Sequence, residues 1–308
     1  MKLSENHLGP VWFLPGDNRG RYPFCHSLFL PESGILIDPG SNRERLKQLK
    51  HEGSVKAVWL SHWHEDHFKD LDLFDHLPLF ISQADALPLS GIEHLLAGYD
   101  IETEFPYWQK VMIEQFHFRP RTPAGCLEGG QTICLDGLTI DLIPAPGHTP
   151  GHLAFYFREP EILFLADYDL TPFGPWYGDH SSSIDDTISS LRRLKGLPAK
   201  IWITSHERGI FDALPLEKWQ AYEGVIYERE NRLLSALAEP LTLNEICNQW
   251  IVYGKPREPL EFFESCERAL MKKHLERLMK QEKISLDNGR YRCMVPSFNT
   301  TQKGIDRT

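Results

Sequence analysis

Long apolar runs, paired cysteines and a serine-nucleophile motif are all missing from this chain of 308 residues. No apolar segment approaches the ~20 residues that a membrane-spanning helix needs. Residues 1–7 also lack the apolar core of a secretory signal peptide. We therefore expect a cytoplasmic protein without membrane contact. The absence of a Gly-x-Ser-x-Gly segment gives no support to a serine nucleophile.

The six cysteines are scattered and include no Cys-x-x-Cys pair; they are Cys25, Cys126, Cys134, Cys247, Cys266 and Cys293. Such spacing is typical of reduced thiols in a reducing compartment, and it gives no indication of a disulfide framework.

The chain also lacks an excess of positive charge, since the formal net charge is −10. Residues 240–308 hold 12 Lys and Arg against 9 Asp and Glu, whereas the rest of the chain holds 21 against 34. The larger part is therefore acidic, which argues against a general binder of polyanions. The length and a hydrophobic content of 41% predict a large core and two domains.

The most informative segment is residues 61–67, Ser-His-Trp-His-Glu-Asp-His, which follows the apolar run Val55 to Leu60. That run is typical of a buried strand. In open α/β sheets, ligands bind where strands end. Because alternate residues of an extended segment point to the same side, His62 and His64 could share one metal ion. Asp66 and His67 could face a second ion. Imidazole and carboxylate ligands suit zinc, and also iron or manganese.

Four further predicted strands deliver an acid or a histidine at or soon after their ends. Asp38 ends the run that begins at Gly34, and Asp167 ends the run 161–167. His148 follows the apolar positions 138–143, and His206 ends the run 200–206. Five such strand ends predict one shared site at a single edge.

With these motifs the chain resembles the metallo-β-lactamase-fold hydrolases, in the glyoxalase II-like superfamily. The resemblance covers about the first two thirds of the chain, and its His-x-His-x-Asp-His element is highly specific. It implies an α/β fold, a four-layer αββα sandwich. It also implies two metal ions per chain, zinc in the first place. By the resemblance one ion is held by His62, His64 and His148, the other by Asp66, His67 and His206, and Asp167 bridges them.

Residues around these ligands receive supporting roles. By the resemblance Asp38 orients ligands, as outer partners of metal sites do. Asp169, two residues after Asp167, is the alternative bridge. His152 is interpreted as a buried, hydrogen-bonded support for the ligands. Asp66 could also orient the attacking hydroxide or carry its proton.

The loop after Asp167 is rich in proline and glycine and is expected to overhang the metals. Its candidates for substrate contact are Tyr168, Trp176 and Tyr177, together with His180 just after it; packing of the aromatic rings against the sheet is the alternative. An N-terminal turn places Arg19, Arg21, Tyr22 and His26 near the substrate or, equally, as ordinary turn residues. His94 and His117 are assigned no role.

The predicted catalytic domain spans residues 1–212 and contains a helical insertion at 84–125. Its aromatic stripe is typical of core or of a homodimer surface, and a wall of the substrate pocket is the less favoured alternative. Residues 213–308 form a second, mostly helical domain. Three helices and a hairpin with an Asn288-Gly289 turn resemble a winged-helix module. Its third helix mixes acids with its cations, so we interpret it as a cap or dimerisation piece; nucleic-acid binding is the less favoured alternative.

Three functions are compatible with these motifs. The first is a dinuclear zinc hydrolase whose metal-bound hydroxide attacks a small-molecule thioester, ester or lactone, resembling hydroxyacylglutathione hydrolase. The chain shows no counterpart of that enzyme's C-terminal glutathione-binding segment. The second is a ribonuclease or phosphodiesterase of the same fold. The third is a sulfur dioxygenase that uses a single iron.

Overall fold

The computed structural model describes residues 3–99 and 105–294. Contacts divide the chain into two compact units, Met1–Ile226 and Tyr227–Thr308. Within the first unit two mixed sheets of seven and six strands face each other. None of the helices in the described ranges is long and apolar enough to cross a membrane.

The first sheet contains strands β1 to β7 in chain order. Strands β1 to β4 pair antiparallel, and β4 to β7 pair parallel. The elements are β1 (Asn6–Leu8), β2 (Val11–Leu14), β3 (Ser27–Leu30), β4 (Ile35–Ile37), α1 (Arg43–His51), β5 (Ala57–Trp59), β6 (Leu79–Ile81), α2 (Ile92–Gly98), α3 (Phe105–Gln115) and β7 (Gly125–Cys126). Short 3-10 turns lie at Asp17–Gly20, Leu71–Phe74, Gln83–Asp85 and Leu87–Ser90. Helices α2 and α3 lie in the predicted insertion.

The second sheet has the order β13-β12-β11-β10-β9-β8. Strands β9 and β11 are both antiparallel to β10, and β12 is parallel to β11. The elements are β8 (Thr132–Leu135), β9 (Leu138–Pro144), β10 (Leu153–Phe157), β11 (Ile162–Phe164), α4 (Ile184–Lys195), β12 (Ile201–Ile203) and β13 (Ile210–Phe211). Strands β9, β11 and β12 therefore all end at the same edge, as do the parallel strands β4 and β5 of the first sheet.

The main core lies between the two sheets, where Leu28 and Ile37 of the first sheet belong to one cluster with Leu142 and Phe155 of the second. Alternate residues of the second sheet face the other way and pack against α4 and the start of α5 (Leu216–Ala236). Helix α1 connects parallel strands β4 and β5 and buries Leu46 and Leu49. Helices on the outer faces of two packed sheets give the four-layer αββα fold that the sequence predicted.

The first half of α5 belongs to the first unit, because Trp219 and Tyr222 lie in its outer cluster. The observed division therefore falls after Ile226, inside the helix. The sequence had placed the boundary at residues 212 and 213, where the helix has not yet begun. Periodicity marks the beginning of a helix but not the point along it where its packing partners change.

The second unit contains the remainder of α5, α6 (Leu243–Cys247), α7 (Leu260–Lys280) and a hairpin of β14 (Ile284–Asp287) and β15 (Arg290–Cys293). The turn residues Asn288 and Gly289 both have positive φ, as the predicted Asn-Gly turn requires. Thr242 and Glu245 form a capping box on α6. The winged-helix assignment stays a prediction.

Several cations of this second unit are engaged by neighbouring groups. Arg268 donates to the Asn244 side chain at 2.8 Å. Arg277 pairs with Glu230, and Arg290 lies 3.0 Å from Glu245. The two ion pairs neutralise charge that a nucleic acid would need, and nucleic-acid binding stays an untested alternative.

Replacement of Leu142 tests the core between the sheets. The side chain is fully buried, so Leu142→Ala should lower the free energy of unfolding by about 2–5 kcal/mol. The matched control is Leu87→Ala, since Leu87 is 62% exposed and should change stability by no more than about 0.5 kcal/mol. Urea unfolding followed by circular dichroism measures both. Equal losses in the two variants would contradict this assignment of the core.

Candidate metal centre

All seven predicted ligands meet at the edge where the strands end. They form two groups whose donor atoms lie within 4.8 Å of one another: His62, His64, His148 and Asp167 in one, and Asp66, His67 and His206 in the other. Five of them are at least 95% buried and the remaining two nearly so. The prediction that these side chains converge agrees with the geometry.

Three imidazole nitrogens of the first group face one another. The Nε2 atom of His148 lies 3.2 Å from Nε2 of His62 and 2.9 Å from Nδ1 of His64. Which of these nitrogens carries a proton is decided by the contacts of the opposite ring nitrogens.

Ser61 and Asp38 decide the tautomer of His62. The Asp38 carboxylate accepts from the backbone N–H of Ser61 at 2.8 Å and from its hydroxyl at 2.7 Å. The Ser61 oxygen is therefore an acceptor toward Nδ1 of His62, which lies 2.9 Å away. His62 then carries its proton on Nδ1, and its Nε2 presents a lone pair to the cluster.

The same arrangement fixes the other two rings of this group. Nδ1 of His148 donates to the carbonyl oxygen of Trp176 at 3.1 Å. Nε2 of His64 lies 2.7 Å from the Asp179 carboxylate. A carbonyl and a carboxylate can only accept, so both rings also turn a lone pair inward.

The second group repeats this pattern. Nδ1 of His67 lies 2.9 Å from Oδ2 of Asp38, and Nδ1 of His206 lies 2.5 Å from the carbonyl oxygen of Gly20. In the neutral rings, both inner Nε2 atoms are therefore lone-pair donors. Asp66 lies 3.6 Å from Nε2 of His206 and 3.9 Å from Nε2 of His67.

Asp167 lies between the two groups. Its Oδ1 is 2.8 Å from Nε2 of His67 and 3.1 Å from Nε2 of His206. Its Oδ2 is 3.3 Å from Nε2 of His148. Within the described residues, Oδ1 of Asp167 and Nε2 of His67 have no hydrogen bond of good geometry despite this short distance. Two buried polar atoms that face each other without a well-directed hydrogen bond fit a shared cation.

The charges of the cluster lead to the same conclusion. Burial opposes charge on His206, but Asp167 and then Asp66 raise its pKa to about 10. Burial likewise opposes charge on His64, whose pKa Asp179 raises to about 9. Burial would raise the pKa of Asp167, yet His67 and His206 hold it well below its usual range. These raised pKa values mean that the rings of His64 and His206 hold a second proton in a cluster without a cation. A metal ion would supply the same positive charge and leave the inner nitrogens with their lone pairs.

His152, the predicted support, and Asp169, the alternative bridge, have distinct surroundings. Nε2 of His152 accepts from the backbone N–H of Asp167 at 3.3 Å, and burial lowers the pKa of His152 well below its usual value. This contact is consistent with the supporting role predicted for it. Asp169 accepts from the backbone N–H of Thr171 at 3.1 Å. It belongs to neither group of potential ligands.

Asp85 supports the loop that carries His148. It is not among the site residues predicted from the sequence. Its carboxylate accepts from the Thr149 hydroxyl at 2.5 Å and from the backbone N–H of Gly151 at 2.7 Å. A Cβ atom on Gly151 would lie 1.9 Å from the Ser82 hydroxyl, so only glycine fits this close approach. Asp85 lies in a short 3-10 turn, and nothing in its local sequence marks it.

His26 attaches the N-terminal turn to the segment that contains His206. Its Nδ1 accepts from the backbone N–H of Gly16 at 2.8 Å, and its Nε2 lies 3.4 Å from the carbonyl oxygen of Glu207. Burial lowers the pKa of His26 to about 3, which keeps the ring neutral. Arg21 pairs with the Glu207 carboxylate at 2.5 Å. The turn therefore lies beside the cluster, as expected, and His26 supports it from within.

The structure corrects two of the four predicted substrate contacts. Tyr168 and Tyr177 are fully buried. The Tyr168 hydroxyl donates to the carbonyl oxygen of Pro146 at 2.9 Å, and its ring lies in the outer core of the second sheet. Trp176 is partly exposed and His180 is exposed, so both have surface that a substrate could reach. Alternation along a short loop does not indicate which rings turn into the core.

Three further residues near the cluster carried weak sequence signals or none. Asp179 accepts from Nε1 of Trp176 at 2.8 Å as well as contacting His64. Glu65, 7% exposed, accepts from the Tyr22 hydroxyl at 2.8 Å and also from Tyr99. Ser61, which the sequence indicated only as the residue before a ligand, links Asp38 to His62.

Comparison with known proteins agrees with this geometry. Residues 24–206 match the model of the metallo-beta-lactamase superfamily. A probable metallo-hydrolase of Streptococcus pyogenes is 32% identical over 165 residues, 52% of this chain and 67% of that protein. A hydroxyacylglutathione hydrolase of Haemophilus influenzae is 27% identical over 188 residues, 54% of this chain and 75% of that protein.

A solved structure supports the fold alone. A metallo-beta-lactamase family protein of Thermus thermophilus superposes with a TM-score of 0.71 at 21% identity, over 92% of this chain and 98% of that one. Because the family model covers more than half of the chain and the strand-end cluster contains its His-x-His-x-Asp-His element, this chain belongs to the metallo-beta-lactamase superfamily.

Proposed function

We propose that this chain is a hydrolase that holds two divalent ions, zinc in the first place and iron or manganese as alternatives. His62, His64 and His148 would hold one ion, and Asp66, His67 and His206 the other, with Asp167 between them. The observation that carries this proposal is the inward direction of the lone pairs. One proton could join only a single pair of these nitrogens, whereas a cation satisfies all of them.

The donor set suits the proposed ions. Neutral imidazole nitrogens and carboxylate oxygens are ordinary zinc ligands. Two divalent ions at such a site would lower the pKa of a water molecule from 15.7 to about 7 and polarise a substrate oxygen. The chain itself supplies the buried surroundings and the fixed ligand orientations that this chemistry needs.

In this proposal Asp38 is the main orienting residue. It accepts from Ser61 with both oxygens and from His67 with one of them, so it sets ring tautomers in both ligand groups. Asp179 likewise sets the tautomer of His64. Such outer partners raise ligand basicity and prevent the rings from turning.

Asp66 is the proposed catalytic residue. Its carboxylate is 5% exposed and lies farther from the neighbouring imidazoles than Asp167 does. It could therefore orient the attacking water and accept its proton while Asp167 remains engaged by histidines on both sides. In this proposal the nucleophile is a water molecule, and no serine or cysteine within residues 3–99 and 105–294 is assigned that role.

The proposed substrate is a small molecule with a thioester, ester or lactone. The Haemophilus relative supports this class, since a hydroxyacylglutathione is a thioester. Trp176 and His180 remain candidates for substrate contact, and Tyr22, whose ring is 49% exposed, is added to them. The resemblance gives no support to glutathione itself as the thiol part.

His64→Ala tests the proposed activity. It removes one inward lone pair, so we expect hydrolysis of the preferred thioester, ester or lactone to fall to background and the metal content to drop. His94→Ala is the matched control, because His94 is exposed and contributes to neither ligand group. Activity on a substrate panel, metal content by mass spectrometry and fold by circular dichroism are measured for both variants.

The same panel separates the alternatives. Two divalent ions per chain with cleavage of a thioester, ester or lactone would support the proposal. Cleavage of phosphodiesters alone would favour the nuclease alternative. One iron per chain with oxygen uptake would indicate the dioxygenase instead. Full activity in His64→Ala would refute the assignment of the site.

Asp179→Asn tests an orienting contact. The carboxylate accepts from His64 and from Trp176 with different oxygens, whereas an amide has a single accepting oxygen. Either His64 or Trp176 would then face the amide N–H₂ in place of an acceptor. We therefore expect metal affinity to fall about 10–100-fold. Competition with a chromogenic chelator measures this change.

Asp136→Asn is the control for that substitution, since Asp136 is exposed in the turn between β8 and β9. It should leave metal affinity unchanged. Equal affinity of both variants would mean that Asp179 does not orient His64.

A further inference from the structure

The proposed metal centre is least buried on the side of His206. The side chains of His206 and Asp167 are each 11% exposed, whereas those of His62 and His67 are fully buried. A substrate would therefore approach the centre past His206. The surface beside this residue belongs to the N-terminal turn, because the carbonyl oxygen of Gly20 accepts from Nδ1 of His206.

The turn borders both groups of proposed ligands. Gly20 contacts His206 of one group, and two positions later the Tyr22 hydroxyl donates to Glu65 at 2.8 Å. Glu65 lies within the His-x-His-x-Asp-His element, which supplies ligands to both groups. Residues 19–22 therefore run alongside the centre from one group to the other.

Two guanidinium groups of this turn face the same carboxylate. Nε and Nη2 of Arg21 donate to the two oxygens of Glu207, at 2.5 and 3.1 Å. Nη2 of Arg19 lies 3.7 Å from the second of these oxygens. Asp17, the acid at the start of the turn, instead accepts from the Asn42 side chain at 2.7 Å. The two arginines and the glutamate together carry one excess positive charge.

Arg19 has both the donors and the exposure to bind a further anion. Among the described residues, its guanidinium group makes no hydrogen bond, and its ion pair at 3.7 Å is long. The side chain is 49% exposed, and that of Arg21 is 53% exposed, so a solute can reach both. A guanidinium group presents five N–H donors in a planar fork that matches the geometry of a carboxylate.

The backbone of the turn is held without the arginine side chains. Asn18 and Arg19 have φ values of 49° and 64°, in the left-handed region that side chains other than glycine rarely adopt. The backbone N–H of Gly20 donates to the carbonyl oxygen of Gly16, and that of Arg21 donates to Asn18. A change of the Arg19 side chain to another unbranched one therefore leaves this backbone in place.

We infer that Arg19 and Arg21 form an anion subsite of this centre, and that the substrate carries a carboxylate several bonds away from the bond that is cleaved. The inference rests on the proposed function and narrows its substrate class. The substrate carboxylate accepts from the Arg19 guanidinium group, beside the pair that Arg21 makes with Glu207. A monocarboxylate matches the single excess charge of these three side chains.

Two thioesters that differ in one charge test this subsite in the zinc-loaded, full-length protein. They are S-acetyl-6-mercaptohexanoate and its carboxamide, whose flexible chain extends beyond the ligand residues. We expect kcat/KM to be about tenfold higher for the carboxylate. Arg19→Met should lower this preference about fivefold through a higher KM, since the contact is made equally in the substrate and in the transition state.

Arg192→Met is the matched control on α4. It removes the same charge from a side chain that is 68% exposed and likewise lies 3.7 Å from a carboxylate oxygen, that of Glu223. The preference for the carboxylate should change by less than about twofold, because an exposed charge away from the substrate is screened by solvent. Equal losses in Arg19→Met and Arg192→Met would contradict a subsite at the turn.

Glu207→Gln gives a change of opposite sign. It removes the carboxylate that competes for the two guanidinium groups, so the preference for the anionic thioester should rise about threefold. If the ion pairs of Glu207 only stabilised the turn, Glu207→Gln and Arg19→Met would both lower the preference.

A pair of ketones that cannot be hydrolysed separates the subsite from the proposed reaction. In 8-oxononanoate and 8-oxononanamide a CH₂ group replaces the thioester sulfur. Calorimetric titration should show about tenfold tighter binding of the carboxylate, and Arg19→Met should remove most of this difference. If neither thioester is cleaved but the difference in ketone binding persists, the proposed function fails and the subsite stands. Equal binding of the two ketones, or an unchanged difference in Arg19→Met, would overturn the inference.

Discussion

The proposed metal centre depends on one constraint: every histidine among the proposed ligands has its outer nitrogen fixed against a hydrogen-bond acceptor. A serine oxygen, two carboxylates and two backbone carbonyls fill these positions. Each contact holds a proton on the outside of the ring and leaves a lone pair on the inside. The strand ends bring the rings together, but the outer contacts determine what the rings present to one another.

Asp38 illustrates how the fold and the site depend on each other. It follows β4, has a positive φ of 53° and is fully buried, which would be costly for a carboxylate without partners. Its backbone N–H donates to the carbonyl oxygen of Trp59 at 3.0 Å, so the same residue pairs with the next strand and contacts Ser61 and His67. Gly40 allows the segment after Asp38 to lie against Asp66, since a Cβ atom on residue 40 would lie 1.7 Å from the carbonyl oxygen of Asp66.

Much of this architecture could be predicted from the sequence, because strands and ligands have local signatures. A short apolar run that ends in histidine or aspartate predicts a strand, and it also predicts that the histidine or aspartate side chain lies at the edge of the sheet. Asp179 and Asp85 could not be predicted in this way, since each contacts a ligand loop that is distant in the chain. The burial of Tyr168 likewise depends on which face of a loop meets α4 and α5.

The brace that Asp85 forms on the loop of His148 has a consequence for protein design. That loop is held by a carboxylate more than sixty positions earlier in the chain, outside every segment that supplies a ligand. A transplant of the seven donor side chains into another scaffold would therefore leave His148 on an unsupported loop. To rebuild this centre elsewhere, a designer would have to carry over Asp85 together with Thr149 and Gly151, which donate hydrogen bonds to its carboxylate.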